Sequence, residues 1–423
     1  MYSFWEDKPI KVNYDKKIEP RKILDNDNLL NYLKDDLDHI KERLENFPKN
    51  LKYTLHFSEM LSVDEKMEII DFINKHYFNK YDYFILSYNY DLFNFFFREA
   101  VLIKFYIEDQ QIGMIIGKKK HINIKGAAFN CFEGNFLCLA EKFRNMHISS
   151  YMMDILAKIS VEKYNINICY YTIHKEIKSR SFCKKIMNYI PVNIENLYDI
   201  NFFSNRYPIE TFKKSYENCH DTRLEILTQN IIYINSGLVK KVGGGELLNS
   251  LANLEDIINK KKLVKMINDY HEKKYDIFDY ISEDEFSKML MNKAFHHFML
   301  VDNNDITDYI CFFRLDYTNN TNNQILKNGF LFLNVFDMKD SVFDMKDDVF
   351  DMKDNVFEYK IKKSLILKSI IKYCRENLII DMILSPCVFD DIKMLRDNSS
   401  FNYYMYNMEM PYIENELNGM VTI

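Results

Sequence analysis

Apolar positions recur every three to four residues over 63–77, VDEKMEIIDFINKHY, with Met67, Ile70, Phe72 and Ile73 on or near one face. That spacing predicts a helix. The runs YFILSY (83–88), AVLIKFYIE (100–108) and QIGMIIG (111–117) read as strands, with Asp109-Gln110 as a tight hairpin between the last two. A further strand over 132–139 leads through a polar turn, 140–150, into a helical pattern over 151–163. NICYYTI (167–173) reads as the strand that follows, and residues 1–50 are polar, with extended and short helical pieces. The first half is therefore a β-hairpin followed by a β–turn–α–β unit.

The second half repeats this order. Helices are predicted at 246–259, 262–272 and 283–292, then strands at 296–302, 306–315 and 329–336. A helix at 361–376 and strands at 380–385 and 402–409 complete it. Two halves with one grammar predict a duplicated α/β fold around a mixed sheet, divided into 1–220 and 221–423. Between the strand and the helix stands a tandem repeat, VFDMKDS, VFDMKDD, VFDMKDN. Its Val and Met fall at a and d of a heptad, but three heptads are short and Phe would be exposed at every b position. The stretch 335–356 reads as a loop insertion, with a small interaction helix as the alternative.

A chain of 423 residues suffices for two or three domain-sized units, or for one large fold. Apolar residues at 47% and charged residues at 28% are those of an ordinary globular protein. The 33 Phe and 30 Tyr could fill a large core or line a long apolar groove. A net charge of −6 argues against general nucleic-acid binding, and the run Lys118-Lys119-Lys120 reads as solvated surface charge. Cys131, Cys138, Cys169, Cys183, Cys219, Cys311, Cys374 and Cys387 form no CxxC pair and read mostly as buried free thiols. The opening MYSFWEDKPI carries charges where a secretory signal needs an apolar core, and no run of eighteen apolar residues exists. The expectation is a chain with no transmembrane segment in a reduced, cytoplasmic setting.

Motifs for familiar chemistry are scarce. His296 and His297 are adjacent on a strand, so they point to opposite faces and read as ordinary strand histidines, not as ligands to one metal. Gly243-Gly244-Gly245 lacks the Lys-Ser/Thr of a phosphate loop and reads as a hinge or loop. No GxSxG, HExxH or EF-hand pattern occurs. There remains the turn 140–150, where a strand end and a helix start could present backbone N–H groups to a phosphate or an oxyanion. A plain β–α connection is the other reading.

The block EGNFLC (133–138), with Phe143-Arg144 after it, resembles the EINFLC…LRSKR block of the N-myristoyltransferases. Further segments match that family in the same order. FWEDKPI (4–10) is similar to FWxTQPV, ILSYNYDLFNFFF (85–97) to FRFxYSxEFLxWAL, and YYTI (170–173) to VYTAG. DITDYICFFRLDYT (305–318) resembles xVTDFxSFYxLPST, FLFLNV (330–335) YSFYNV, and NYYMYN (402–407) QYYLYN. The interval from Asn407 to Ile423 also matches, with Gly419 and Val421 in register.

The resemblance implies two N-acetyltransferase-like (GNAT) halves related by pseudo-twofold symmetry. The first would hold myristoyl-CoA and the second most of a peptide groove. It implies transfer of myristate to an N-terminal glycine amine by a monomer, with acyl-CoA bound first and without a metal or prosthetic group. The backbone N–H groups of Phe136 and Leu137 would polarise the thioester carbonyl. Asn135 and Thr172 would hold the glycine amine, and the α-carboxylate of Ile423 would act as base. Tyr2, Phe4 and Trp5 would pack on CoA, and Arg144, Asn145, Met146, His147, Ile148 and Ser149 would face its phosphates. Tyr88 and Leu86 would line the peptide channel, and Asn398 stands where a family GDG touches the peptide.

Several positions depart from the family pattern. Met146 and His147 replace two basic residues of the phosphate loop, so the phosphates would be gripped more weakly or by backbone N–H groups. The family's acidic loop is largely absent at 78–81, and Ile173-His174 replaces a small pair after Thr172. These changes leave the peptide preference open. An amine of pKa ~8 and a carboxylate of pKa ~3.5 are mismatched by about 4.5 units, so the terminal carboxylate would position the amine and do only part of the base work. The alternatives are a related acyltransferase for another acyl chain or amine, and a non-catalytic lipid or peptide binder.

Overall fold

The computed structural model describes residues 8–15, 17–77, 83–173, 177, 179–202, 209–210, 228–243, 247–248, 259–302, 305–336, 352–386 and 395–420. The first half runs β1 (Ile10–Asn13), β2 (Arg21–Lys22), α1 (Asn26–Arg43), β3 (Leu51–Phe57), α2 (Val63–His76), β4 (Phe84–Ser87) and α3 (Tyr90–Phe96). It continues with β5 (Ala100–Ile107), β6 (Gln110–Ile124), β7 (Ala127–Leu139), α4 (Ile148–Tyr164), β8 (Cys169–Ile173), β9 (Cys183–Pro191) and α5 (Ile194–Asp199). The second half opens with β10 (Ile231–Asn235), β11 (Leu238–Lys241), β12 (Leu247–Leu248), α6 (Lys260–Lys274), β13 (Ile277–Asp279), α7 (Glu283–Met291) and β14 (Phe295–Asp302). There follow β15 (Asp305–Arg314), β16 (Asp316–Asn319), β17 (Ile325–Leu326), β18 (Asn328–Val335), α8 (Met352–Glu376), β19 (Met382–Ser385), β20 (Leu395–Tyr406) and β21 (Met408–Pro411).

One sheet joins the halves, in the order β12-β11-β10-β14-β15-β18-β19-β9-β20-β8-β7-β6-β5-β3, with β13 paired to β6. The duplication is visible in it. β7–α4–β8 and β18–α8–β19 are both parallel strand pairs joined by a helical crossover, the connection parallel strands require. The neighbouring ladders are antiparallel, and two strands are exchanged: β9 of the first half pairs with β19, and β20 of the second half pairs with both β8 and β9.

Local sequence accounts for the helices that brace this sheet. Ser62 and Glu65 form a reciprocal capping box at the start of α2, which buries Ile69, Ile70 and Ile73. Helix α4 is buried along most of its length because it lies between the sheet and α1. Asp154 at its centre is 1% exposed and accepts from Lys8 Nζ at 2.6 and 2.8 Å, while Lys8 also donates to Asp36 of α1. This buried triad ties the segment before β1 to both helices.

Several expectations are corrected. The 18-residue helix α1 stands where only short pieces were expected, with Leu29, Leu33, Leu37 and Ile40 all buried. Strand β6 continues to Ile124, well past residue 117, and the hairpin turn is Glu108-Asp109, with Glu108 at φ 54°. Leu247–Leu248 is a strand, not the start of a helix, and residues 249–258 lie outside the described residues. Helix α8 begins at Met352 inside the third repeat, whereas 337–351 lie outside. Cys131, Cys138, Cys169, Cys183, Cys311 and Cys374 are buried free thiols; Cys219 and Cys387 lie outside the described residues.

Two stability predictions follow from this packing. A Cβ at Gly117 would stand 2.1 Å from the Phe132 ring and 2.5 Å from Leu156 of α4, so Gly117→Ala should destabilise by about 1–3 kcal/mol, read as a lower urea midpoint. Burial pushes His271 and His296 down to about 3 and His297 to about 4. Unfolded imidazoles take up protons below about pH 6.5 that these folded ones refuse. Their contribution is complete above pH 6.5 and is lost as pH falls toward 3–4, so the urea midpoint should drop across that window, and less steeply in His297→Asn.

Candidate functional site

The site is built on an irregularity in β7. Residues Gly113 to Ile124 of β6 pair along β7, but Met114 lies opposite Cys138 and Ile116 opposite Asn135. Two steps on β6 thus face three on β7, a β-bulge that leaves Phe136 and Leu137 out of the ladder. Phe136 takes the left-handed conformation, φ 49°, which costs a non-glycine residue and persists where packing enforces it. The packing is visible: its ring lies 5.1 Å from Tyr88, 5.7 Å from Phe93 and 5.9 Å from Tyr77. On its other edge, β7 pairs with β8 only at Phe132–Cys169 and Glu133–Tyr170, after which the two parallel strands diverge.

A cavity of about 100 Å³ occupies that divergence. Gly134, Asn135, Phe136 and Leu137 of β7 form one wall, Cys169 to Ile173 of β8 the other, and Met153, Leu156 and Ala157 of α4 the floor. The backbone of Phe136 and Leu137 therefore borders a largely apolar cavity free of ladder partners. The Phe136 N–H donates at 2.8 Å to Oδ1 of Asn135.

Beyond the strand end lies the turn into α4. Arg144 is half-buried and committed to bracing, donating from Nη2 to the His76 carbonyl at 2.7 Å and from Nε to the Leu139 carbonyl at 3.2 Å. Asn145 and His147 both have positive φ. The His147 side chain does not cap α4, and among the described residues no side chain is seen to accept from its first N–H groups. The Ile148 side chain is buried in the core, leaving its N–H as the group able to meet a ligand. Asn145 and Ser149 are exposed, and Met146 is intermediate.

The opposite face of the sheet carries the rest. Asn135 and Glu133 lie two residues apart on β7, and Thr172 and Tyr170 two apart on β8, so each pair shares a face. Tyr403 of β20 stands opposite Thr172 and donates its hydroxyl to the Met420 carbonyl at 3.2 Å. Lys185 of β9 donates to the same carbonyl at 2.7 Å and to that of Asn418 at 3.1 Å. The segment 418–420 is thus fastened beneath Thr172. Leu86 lies in β4, opposite Tyr317, and Tyr88 is buried beside Phe136. Tyr2, Phe4, Trp5 and Ile423 lie outside the described residues, as does the side chain of Asn398, whose backbone belongs to an irregular part of β20.

One group escaped the sequence reading. Lys118 and Lys120 are not solvated surface charges: their side chains are 13% and 18% exposed. Lys120 pairs with Asp279 at 3.0 Å and Glu133 at 3.9 Å, and Lys118 with Glu285 at 3.9 Å. Both line a cleft of about 440 Å³ with Arg98, Asp279, Glu285 and Phe332. The residue spacing gave no sign of it, since the partners come from β7, β13 and α7. His297 is an ordinary strand histidine, bonded to the Tyr309 hydroxyl at 2.8 Å and the Met289 carbonyl at 3.1 Å; His296 meets the Tyr233 hydroxyl at 2.8 Å. Among the described residues, no group of three His, Cys, Asp or Glu could hold a metal ion, and no helix is long and apolar enough to cross a membrane.

Residues 33–183 match the family model for Myristoyl-CoA:protein N-myristoyltransferase, N-terminal domain. A protein of Amsacta moorei entomopoxvirus, provisionally named glycylpeptide N-tetradecanoyltransferase, is 27% identical over 202 residues. The match covers 46% of this chain and 59% of that relative. The crystal structure of Saccharomyces cerevisiae N-myristoyltransferase with bound myristoyl-CoA superposes with a TM-score of 0.73, at 16% identity, over 99% of both chains. A second structure of the yeast protein, with myristoyl-CoA and inhibitors, gives a TM-score of 0.74 over 100% of this chain and 96% of that one, again at 16% identity. The yeast structures carry the duplicated GNAT fold seen here in the paired β–α–β units, so the described chain has the fold of the N-myristoyltransferases and, over residues 33–183, the sequence pattern of their N-terminal domain.

Proposed function

We propose that the protein transfers myristate from myristoyl-CoA to the N-terminal glycine amine of a peptide by direct attack on the thioester. The carrying observation is the bulge at Phe136-Leu137, which leaves both residues out of the ladder where they line the cavity between β7 and β8. A thioester carbonyl entering there would take the Phe136 N–H from Asn135 and gain Leu137 as second donor. Donors fixed before the reaction stabilise the oxyanion without reorganisation. The exchange frees Asn135 Oδ1 to accept from the glycine amine, with Thr172 across the divergence. Acyl-CoA binding would thereby complete the amine site and so precede binding of the peptide.

In this reading Tyr2, Phe4 and Trp5 pack on CoA, and its phosphates rest on the uncapped start of α4. The turn from Arg144 to Ser149 contributes shape and backbone N–H groups more than charge, since Arg144 is spent on His76 and Leu139. Tyr88, Leu86 and Asn398 line the peptide channel. The Ile423 α-carboxylate, three residues beyond the fastened Met420, holds the amine in this reading.

One observation favours a second reading, an acyltransferase for a shorter chain. A cavity of about 100 Å³ has room for a few methylene groups, not fourteen carbons, so a myristoyl tail requires α4 side chains to part from the sheet. Incubation of a glycine-initiated peptide with acetyl-, octanoyl- and myristoyl-CoA, followed by mass spectrometry, separates the readings. Myristoylated product is expected; acetyl or octanoyl product alone would establish the shorter-chain reading, and no product would overturn both.

Asn135→Leu should lower kcat roughly 100-fold, with acyl-CoA affinity by calorimetry little changed. Extending the chain beyond Ile423 should likewise slow transfer strongly and leave acyl-CoA affinity nearly intact; undiminished transfer would remove Ile423 from the mechanism.

A further inference from the structure

An attacking amine must first lose a proton, and a carboxylate of ordinary acidity is poorly matched to take it. Titratable groups stand one step along the strands from the amine site. Lys118 of β6 is directly opposite Glu133 of β7, which is directly opposite Tyr170 of β8. The adjacent row on the same face contains Ile116, Asn135 and Thr172. Side chains two residues apart on a strand are separated by about 6.7 Å, a gap that one water bridges. At the other end of the titratable row, Lys118 lines the cleft of about 440 Å³, which opens to solvent. Glu133 itself is 7% exposed.

We propose that Glu133 and Lys118 form a proton exit that carries the acceptor's proton from the Asn135–Thr172 site to the open cleft. The inference rests on the acyl-transfer reading. The glycine ammonium passes a proton through water to the Glu133 carboxylate, and the Lys118 ammonium gives its own proton to cleft water. The Lys118 amine then takes the proton from Glu133, leaving both groups as they began. The neutral glycine amine then attacks, its C–N bond forms, and the C–S bond breaks. The second amine proton leaves with the departing CoA thiolate.

The surroundings suit both groups to this work. Burial raises Glu133 above the usual carboxylate range against the opposing charge of Lys120. Burial, with Lys120 and Arg98 nearby, brings Lys118 down to about 8, close to the pKa of an α-amine. Lys120 stays charged between Asp279 and Glu133 and fixes the carboxylate. Glu133 is faced by Lys118 and Lys120 from β6, Cys131 from its own strand, Tyr170 from β8 and Asp279 from β13. Burial holds the Cys131 thiol and the Tyr170 phenol protonated. Glu285 of α7 meets Lys118 at 3.9 Å, too far for a hydrogen bond that would hold the ammonium form. Both groups act through water, as relay residues.

The test pairs variants with two acceptors: a glycine peptide, and the same peptide bearing an aminooxyacetyl group, whose terminal nitrogen is neutral at pH 7 and needs no deprotonation before attack. Glu133→Gln should lower kcat on the glycine peptide about 100-fold with unchanged acyl-CoA affinity, and lose far less on the aminooxy peptide. Lys118→Arg, which keeps the charge and cannot surrender a proton, should show the same bias and carries the test if Glu133→Gln fails to fold. Equal losses on both acceptors, or no loss, would overturn the relay. Wild-type protein acylating neither acceptor would instead overturn the acyl-transfer reading beneath it.

Discussion

The hydrogen bond from the Phe136 N–H to Asn135 Oδ1, 2.8 Å long, is the contact on which the rest of the site depends. It exists because one extra residue in β7 turns two peptide units out of the ladder. A backbone donor beside an apolar cavity is costly when unmet. The side chain of Asn135 meets that cost, and in the proposed mechanism the thioester carbonyl takes its place. The left-handed Phe136 is held in place by Tyr77, Tyr88 and Phe93, so an aromatic cluster in the first half keeps the bulge from annealing into a regular strand.

The duplication gives this irregularity its setting. Parallel strands joined by a helix can part at one end, because no short hairpin holds them together there. β7 and β8 do so after two paired residues, with α4 as the floor between them. The exchanged strands β9 and β20 bring in the second half, whose segment 418–420 is tied by Lys185 and Tyr403 to the face that carries Asn135 and Thr172. The cavity at the bulge thus opens toward α4, while Lys118 and Lys120, on the strand face that also carries Asn135, line the 440 Å³ cleft.

Much of this was legible in the chain. EGNFLC marked the strand and YYTI its parallel neighbour, and the order of elements in each half predicted the duplication. The bulge was not legible, because Phe136, Leu137, Cys138 and Leu139 are all apolar and either alternation fits them. Helix α1 was missed although Leu29, Leu33, Leu37 and Ile40 form a buried stripe, since charged residues crowd the intervening positions. Lys118 and Lys120 were misread for a different reason. Their partners Glu133, Asp279 and Glu285 come from three other elements, and only the tertiary fold turns a run of lysines into a buried ion cluster.

The central claim is that two main-chain donors at the bulge polarise a thioester carbonyl. The infrared difference spectrum of the protein with carbonyl-¹³C-labelled myristoyl-CoA measures that polarisation directly. A bound carbonyl stretch clearly below its frequency in water, returning toward the water value in Asn135→Leu, is the predicted result. A bound carbonyl at or above the water frequency in the unaltered protein would contradict the account.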